Sequence, residues 1–130
     1  MAIKKEVFHL YPEIEKQYCS SQAWKVGDTI YIGGAAAVNG DGEVVGVGNM
    51  ETQVREAYAN LKKTLAHFGA TFDNIVEQWF LLTDLEKVPA VLSVLQEVFA
   101  GKEYPPAIGM EVNKLGHPDL LIEIKVTARV

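Results

Sequence analysis

Cysteine occurs once in this 130-residue chain, as Cys19. An intramolecular disulfide is therefore excluded, and nothing asks for an oxidising compartment. Long apolar runs are missing as well. No stretch approaches the roughly 20 residues that a membrane-spanning helix needs. The opening Met-Ala-Ile-Lys-Lys lacks the apolar core of a signal peptide. Positive charge is sparse: 12 Lys and Arg against 17 Asp and Glu leave a net charge of −5. No basic cluster exceeds the pairs Lys4-Lys5 and Lys62-Lys63, so the electrostatic footprint of a nucleic-acid binder is lacking. Histidine is limited to His9, His67 and His117, whose spacings suit no metal motif. These absences predict a cytoplasmic protein with no metal, no cofactor, and neither membrane nor nucleic acid as a partner.

What is present suits one folded domain over residues 1–130. Hydrophobic residues make up 48% of the chain and charged residues 22%, the balance of a globular protein with a full core. Residues 3–8 read as a first strand. Residues 23–26 and 29–33 read as a hairpin about Gly27-Asp28, a turn signal with Asp in second place. The glycine-rich stretch 39–49 reads as an exposed loop. Val54, Tyr58, Leu61, Leu65 and Phe68 then recur at three- and four-residue spacing, one apolar stripe of a helix. Asn49 fits its N-cap and Gly69 its C-terminal stop. Residues 75–83 are β-branched and aromatic, hence a strand. Val91, Leu92, Leu95 and Phe99 mark a second helix, with Pro89 confined to its first turn. Residues 107–112 and 120–128 are the last two strands. The order is β-ββ-α-β-α-β-β, an α+β pattern with two helices available to one face of a mixed sheet.

That sheet has a face to spare. In the last strand Ile122, Ile124, Val126 and Ala128 point one way, and Leu121, Glu123, Lys125, Thr127 and Arg129 the other. In the strand 75–83, Val76, Phe80 and Leu82 oppose Ile75, Trp79 and Leu81, and both sets are apolar. Two helices cover one face only. An uncovered apolar face calls for a second copy of the chain.

Several segments, taken in order, carry a resemblance. They are Trp24-Lys25-Val26-Gly27-Asp28-Thr29-Ile30-Tyr31-Ile32-Gly33-Gly34, Thr52-Gln53-Val54-Arg55-Glu56-Ala57, Asn60-Leu61, Thr83-Asp84-Leu85, Tyr104-Pro105-Pro106-Ala107-Ile108-Gly109-Met110-Glu111-Val112 and Leu121-Ile122-Glu123-Ile124. Together they resemble the RidA/YjgF enamine/imine deaminases over nearly the whole chain. The stretch from His117 to Lys125 further resembles the 2-aminomuconate deaminase branch. The resemblance implies a chorismate-mutase-like fold and a homotrimer, its sheets packed inward as a barrel. It places three equivalent clefts between the subunits, each for a small-molecule ligand.

The family's chemistry carries over only in part. Its arginine grips a substrate carboxylate through a bidentate, charge-assisted pair. That position falls on Ala107. The glutamate of the final strand, which positions or activates water, is present as Glu123. Gly109 stands where the family has a small or Cys residue, and its backbone would line the cleft. The tyrosine of the N-terminal loop falls near Ser20, with Tyr18 two residues away. Glu111 shares the parity of Ala107 and Gly109 and would reach the face of Glu123 as a two-carboxylate site, or else stand as a rim acid. His117 is a loop histidine before the last strand, a ligand contact or the cap of a turn before Pro118. Glu123 itself is either catalytic or the counter-charge of Lys125. Arg55 and Arg129 are the remaining candidates to replace the lost cation. Cys19 has no base nearby in sequence to make it a nucleophile. Gly33-Gly34-Ala35-Ala36-Ala37 lacks the lysine of a phosphate loop, and its small residues are expected to allow close packing between subunits.

Two functions follow. One is a divergent hydrolase of an enamine, imine or related metabolite, poor with 2-aminoacrylate. The alternative is a trimer of the same fold that binds a small metabolite without turnover. Endoribonuclease activity, also attached to the family, suits this acidic chain least.

Overall fold

A computed structural model describes residues 2–130; Met1 lies outside the described residues. The strands are β1 (Glu6–Phe8), β2 (Ala23–Val26), β3 (Thr29–Ala36), β4 (Ile75–Leu82), β5 (Ala107–Glu111) and β6 (Ile122–Arg129). The helices are α1 (Pro12–Gln17), α2 (Met50–His67) and α3 (Val88–Val98). Single 3-10 turns precede β4 and α3. The strands form one mixed sheet in the order β1-β2-β3-β6-β4-β5. Only the β4–β5 pair is parallel. The α+β architecture is the chorismate-mutase-like fold of the YjgF type.

Local chemistry explains the elements. Gly27 takes φ +59° between Val26 and Thr29, while Asp28 keeps a negative φ. That is the pattern of a type II′ hairpin turn, which places glycine first. Asn49 caps α2 by accepting the Thr52 N–H at 3.0 Å. Gly69, at φ +71°, ends the same helix. Pro89 sits in the first turn of α3, where no backbone donor is lost.

The core lies between α2, α3 and one face of the sheet. Ile30, Ile32, Ile122, Ile124 and Val126 are fully buried there, against Val54, Leu61 and Leu65 of α2. The parity expected for β6 holds. That for β4 does not. An extra residue separates Ile75 from Glu77 opposite Ala128 and Thr127. Val76 occupies this bulge and is exposed, while Ile75, Gln78, Phe80 and Leu82 face the core. Buried Gln78 is satisfied by the Tyr58 hydroxyl, which donates to its amide oxygen.

Among the described residues neither α2 nor α3 covers the opposite face, which α1 only borders. Trp24, Tyr31, Trp79 and Ile108 are 37%, 51%, 41% and 47% exposed on it or at its margin. Helix α1 is the departure from the two-helix expectation. Its Glu15 is buried and ties down the segment between β1 and β2. The carboxylate accepts from the Tyr11 N–H at 2.6 Å and the Gln22 N–H at 2.7 Å, and lies 3.0 Å from His9 Nδ1. Six residues with a proline at the start give too short an apolar period to be visible in sequence.

Candidate functional site

The α1 segment, the far end of β3, the loop before β6 and Glu123 together enclose a cleft of about 390 Å³. Four residues singled out from the sequence line it: Tyr18, Ser20, His117 and Glu123. Ser20 is fixed by its backbone N–H, which donates to the Glu15 carbonyl at 3.0 Å. Tyr18 is exposed at the mouth. His117 does cap its turn: its Nδ1 accepts the Asp119 N–H at 3.1 Å. That bond assigns the proton of the neutral ring to Nε2. The capping and lining roles are thus compatible.

Glu123 is the carboxylate of β6 that lines the cleft. It sits on the uncovered face of β6, paired in register with Ala36 on one side and Leu81 on the other. The β3 strand is irregular beside it. Between Ile32 and Ala35 it holds one residue more than β6 does, so that Gly33 and Gly34 together oppose Lys125. The Glu123 side chain folds back over Gly34. A methyl group at Gly34 would overlap its Oε1 and Cδ and stand 2.8 Å from its Cγ. Within one chain Gly34 thus makes room for the glutamate. Among the described residues Glu123 forms no ion pair, and its half-buried carboxylate opens into the cleft rather than onto a protein partner. Lys125, two positions along the same face, does not bridge to it within one chain. Burial without compensation pushes the carboxyl above the ordinary glutamate range. Such a group is poised to exchange a proton nearer neutrality than a surface glutamate.

Within one chain the β5 residues do not reach this cleft. Glu111 pairs with Leu82 and Ala107 with Gln78, so both share the helix-side face of the sheet, whereas Glu123 occupies the other. Glu111 accepts the Leu85 N–H at 3.1 Å and is a rim acid. The pairing of Glu111 with Glu123 is therefore not formed inside a protomer. Ala107 and Gly109 lie exposed on an edge strand, separated from β6 by β4. Arg55 is clamped on the helical surface by Glu51 at 2.9 Å and Glu97 at 2.6 Å. Arg129 is exposed at the end of β6. Neither lines the cleft. Among the described residues no cluster of three His, Cys, Asp or Glu side chains is placed to hold a metal.

Two buried amides that sequence reasoning passed over shape the cleft walls. Asn60 of α2 accepts from the Tyr11 hydroxyl at 2.8 Å and donates to the carbonyls of Ala36 and Val38 at 2.9 and 3.0 Å. Gln53 donates to the carbonyls of Gly46 and Asp119 and accepts the Leu121 N–H at 2.8 Å. It thereby joins the glycine-rich loop and the lead-in to β6 to one helix. Their signal was present: both are amides facing the core, adjoining the apolar stripe at Val54 and Leu61. Only the tertiary fold shows what they hold.

Comparison with known proteins places the chain and its fold. The family model described as endoribonuclease L-PSP matches residues 11–130. The RutC family protein YjgH of Escherichia coli is 34% identical over 111 residues, spanning 85% of this chain and 82% of the relative. The 3-aminoacrylate deaminase RutC of Acinetobacter baylyi is 30% identical over 108 residues, 83% of this chain and 84% of the relative. A solved structure of Rv2704 from Mycobacterium tuberculosis, described as a member of the YjgF/YER057c/UK114 family, superposes with a TM-score of 0.84. That match is at 27% identity and covers 98% of this chain and 100% of the other. On the family match, these identities and the shared fold, the chain belongs to the RidA/YjgF family.

Proposed function

We propose that the protein is a hydrolase of small imines or enamines, acting in a cleft that a neighbouring copy of the chain completes. The observation that carries this reading is Glu123: a half-buried, unpartnered carboxylate held over Gly34, with its acidity weakened by burial. An idle carboxylate in that setting is a cost without return. Relatives named as deaminases support the reaction class.

The reaction balances as follows. Water adds its oxygen to the imine carbon, and the C=N π pair moves to nitrogen. Glu123 takes the proton that the attacking water loses and passes it to the amine nitrogen. The C–N bond then breaks with its electron pair on the departing ammonia, and the remaining hydroxyl loses its proton to form the carbonyl. An iminium ion and water become a carbonyl compound and ammonium.

The uncovered sheet face supports a trimer, with Trp79, Ile108 and Tyr31 as the apolar surface that association would bury. In that arrangement Ala107 and Gly109 would approach the cleft of another copy. Ala107 brings no cation, so 2-aminoacrylate and similar carboxylate-bearing imines are poor substrates. The net charge of −5 argues against RNA as the substrate.

The test is Glu123→Gln, assayed by trapping free imine with semicarbazide. Loss of about 10²-fold in hydrolysis with the assembly and melting temperature retained supports the reading. A stable variant with undiminished hydrolysis removes Glu123 from the chemistry. No hydrolysis by the parent protein itself leaves a metabolite-binding trimer, the reading that Ala107 favours.

A further inference from the structure

Resting on that reading of the cleft, we infer that its substrate class is an aliphatic or aryl iminium ion with no carboxylate: a cationic head on an apolar tail. Three observations carry this. Among the described residues that line the cleft, the one free charge is the Glu123 carboxylate. The second acid there, Glu15, is already occupied by the Tyr11 and Gln22 N–H groups and His9. Among the described residues no Lys or Arg of the same chain lines the cleft, and Ala107, which a neighbouring copy would bring, adds none, so a ligand carboxylate would meet repulsion from Glu123 without a counter-charge from either. The nearest cation along β6, Lys125, does not line the cleft but the open trough beside it, with Trp24 and Tyr31, across a shared wall of Ser20, Ser21, Gln22 and Gly33. The rest of the wall is largely hydrocarbon, including Leu10, Ile14, Val38 and Leu120. A volume of about 390 Å³ equals roughly a dozen water molecules, room for a short alkyl or aryl tail behind the charged head.

The charge logic also fits the reaction. A protonated imine is the more electrophilic form. Glu123 beside it would hold the cation, favour its protonated state and stand next to the carbon that water attacks. Product release is ammonium from the same anionic position and a neutral aldehyde or ketone from the apolar wall.

Two imines that differ only in the carboxylate test this: butan-1-imine, made in place from butylamine by an amine oxidase, and 2-iminopentanoate, made from norvaline by an amino-acid oxidase. The first should be hydrolysed at least about 10-fold faster. Binding is read separately, by amide chemical-shift titration of Gly33 and Gly34 with butylammonium and with butyrate. Butylammonium should saturate these shifts and weaken about 10-fold or more in Glu123→Gln, and butyrate should not saturate them. Faster hydrolysis of 2-iminopentanoate would overturn the substrate class while leaving the hydrolase intact. Hydrolysis of neither imine, with butylammonium still bound in a Glu123-dependent way, would overturn the hydrolase and leave a cation-binding cleft. Butyrate binding as tightly as butylammonium, no saturable butylammonium shift, or butylammonium binding indifferent to Glu123→Gln would overturn the inference itself.

Discussion

Replacing Gly34 by alanine perturbs the seat of Glu123 and little else. The added methyl would overlap Oε1 and Cδ of Glu123 and crowd its Cγ at 2.8 Å. Turning the carboxylate alone cannot relieve a contact at Cγ, so the side chain must change its inner torsions and leave the strand surface. Gly34 is not among the glycines with positive φ, so alanine suits the backbone there. The cost in stability is small: about 0.5–1.5 kcal/mol for a strained rotamer, offset by about 0.5–1 kcal/mol that alanine gains over glycine in a strand. The two nearly cancel. The cost in function does not, because displacing a reacting group by 1 Å is worth about 10²-fold in rate. A readout independent of substrate exists. Burial holds the Glu123 carboxyl above the ordinary range, and a side chain pushed toward water should return toward about 4.3. Carbon-13 titration of the glutamate carboxyl in the parent and in Gly34→Ala measures this directly. Imine hydrolysis measured in parallel should fall, and adding Gly34→Ala to Glu123→Gln should cost nothing further. If Gly34→Ala leaves both the titration and the hydrolysis unchanged, the contact over Gly34 has no bearing on the site.

Other outcomes follow from the same coordinates. Because the folded pKa of Glu123 is raised, its contribution to stability is full below the unfolded value of about 4.3 and is lost as pH rises through the folded value. Glu123→Gln should therefore melt at or above the parent at pH 7 and converge with it near pH 4; a sharp drop at pH 7 would reveal a structural counter-charge instead. Sedimentation equilibrium should give three times 14.3 kDa, and Trp79→Glu should shift the mass downward by placing charge on the uncovered face; a parent monomer at micromolar concentration would sink the packing argument. Gln53→Ala strands the carbonyls of Gly46 and Asp119 and the Leu121 N–H, at a cost of about 2–4 kcal/mol in urea unfolding; a loss under about 1 kcal/mol would mean that water replaces the amide. Arg55→Ala should leave hydrolysis untouched, since its guanidinium is spent on Glu51 and Glu97; a large loss would show that it serves the cleft in the assembly.

Much of the fold was legible because it rests on local rules. The stripe from Val54 to Leu65, its Asn49 cap and its Gly69 stop lie within one helix and need no tertiary information. The alternation in β6 was legible for the same reason, since a period of two survives wherever the strand is regular. Legibility failed where an element is short or irregular. Helix α1 offers no apolar period, and the bulges at Val76 and at Gly33-Gly34 each shift a parity that a regular strand would keep. Of the candidate site, Tyr18, Ser20, His117 and Glu123 converge within one chain. Between the two readings of Glu111, parity within β5 alone could not decide. The face depends on which residues stand in register, and Leu82 opposite both Glu111 and Ile122 fixes it.

The irregularity in β3 and the seat of Glu123 are one feature. Had β3 continued its alternation past Ile32, the next core-facing residue would be position 34, and the strand would bury its glycine and expose Ala35. The extra residue reverses this. Ala35 enters the core beside Ile124, and Ala36 comes into register with Glu123 on the uncovered side. Gly34 is left flat beneath the carboxylate, with no side chain to lift it away. A glycine in a strand gives up packing and backbone entropy. Here that loss returns a fixed position for a carboxylate, which a solvent-facing glutamate with free torsions would lack. Pinning an anion against backbone, without a cation to neutralise it, raises its affinity for the next positive charge to enter the cleft. On the proposed function, the local stability given up at Gly34 and Glu123 together goes to a site defined by charge as much as by shape.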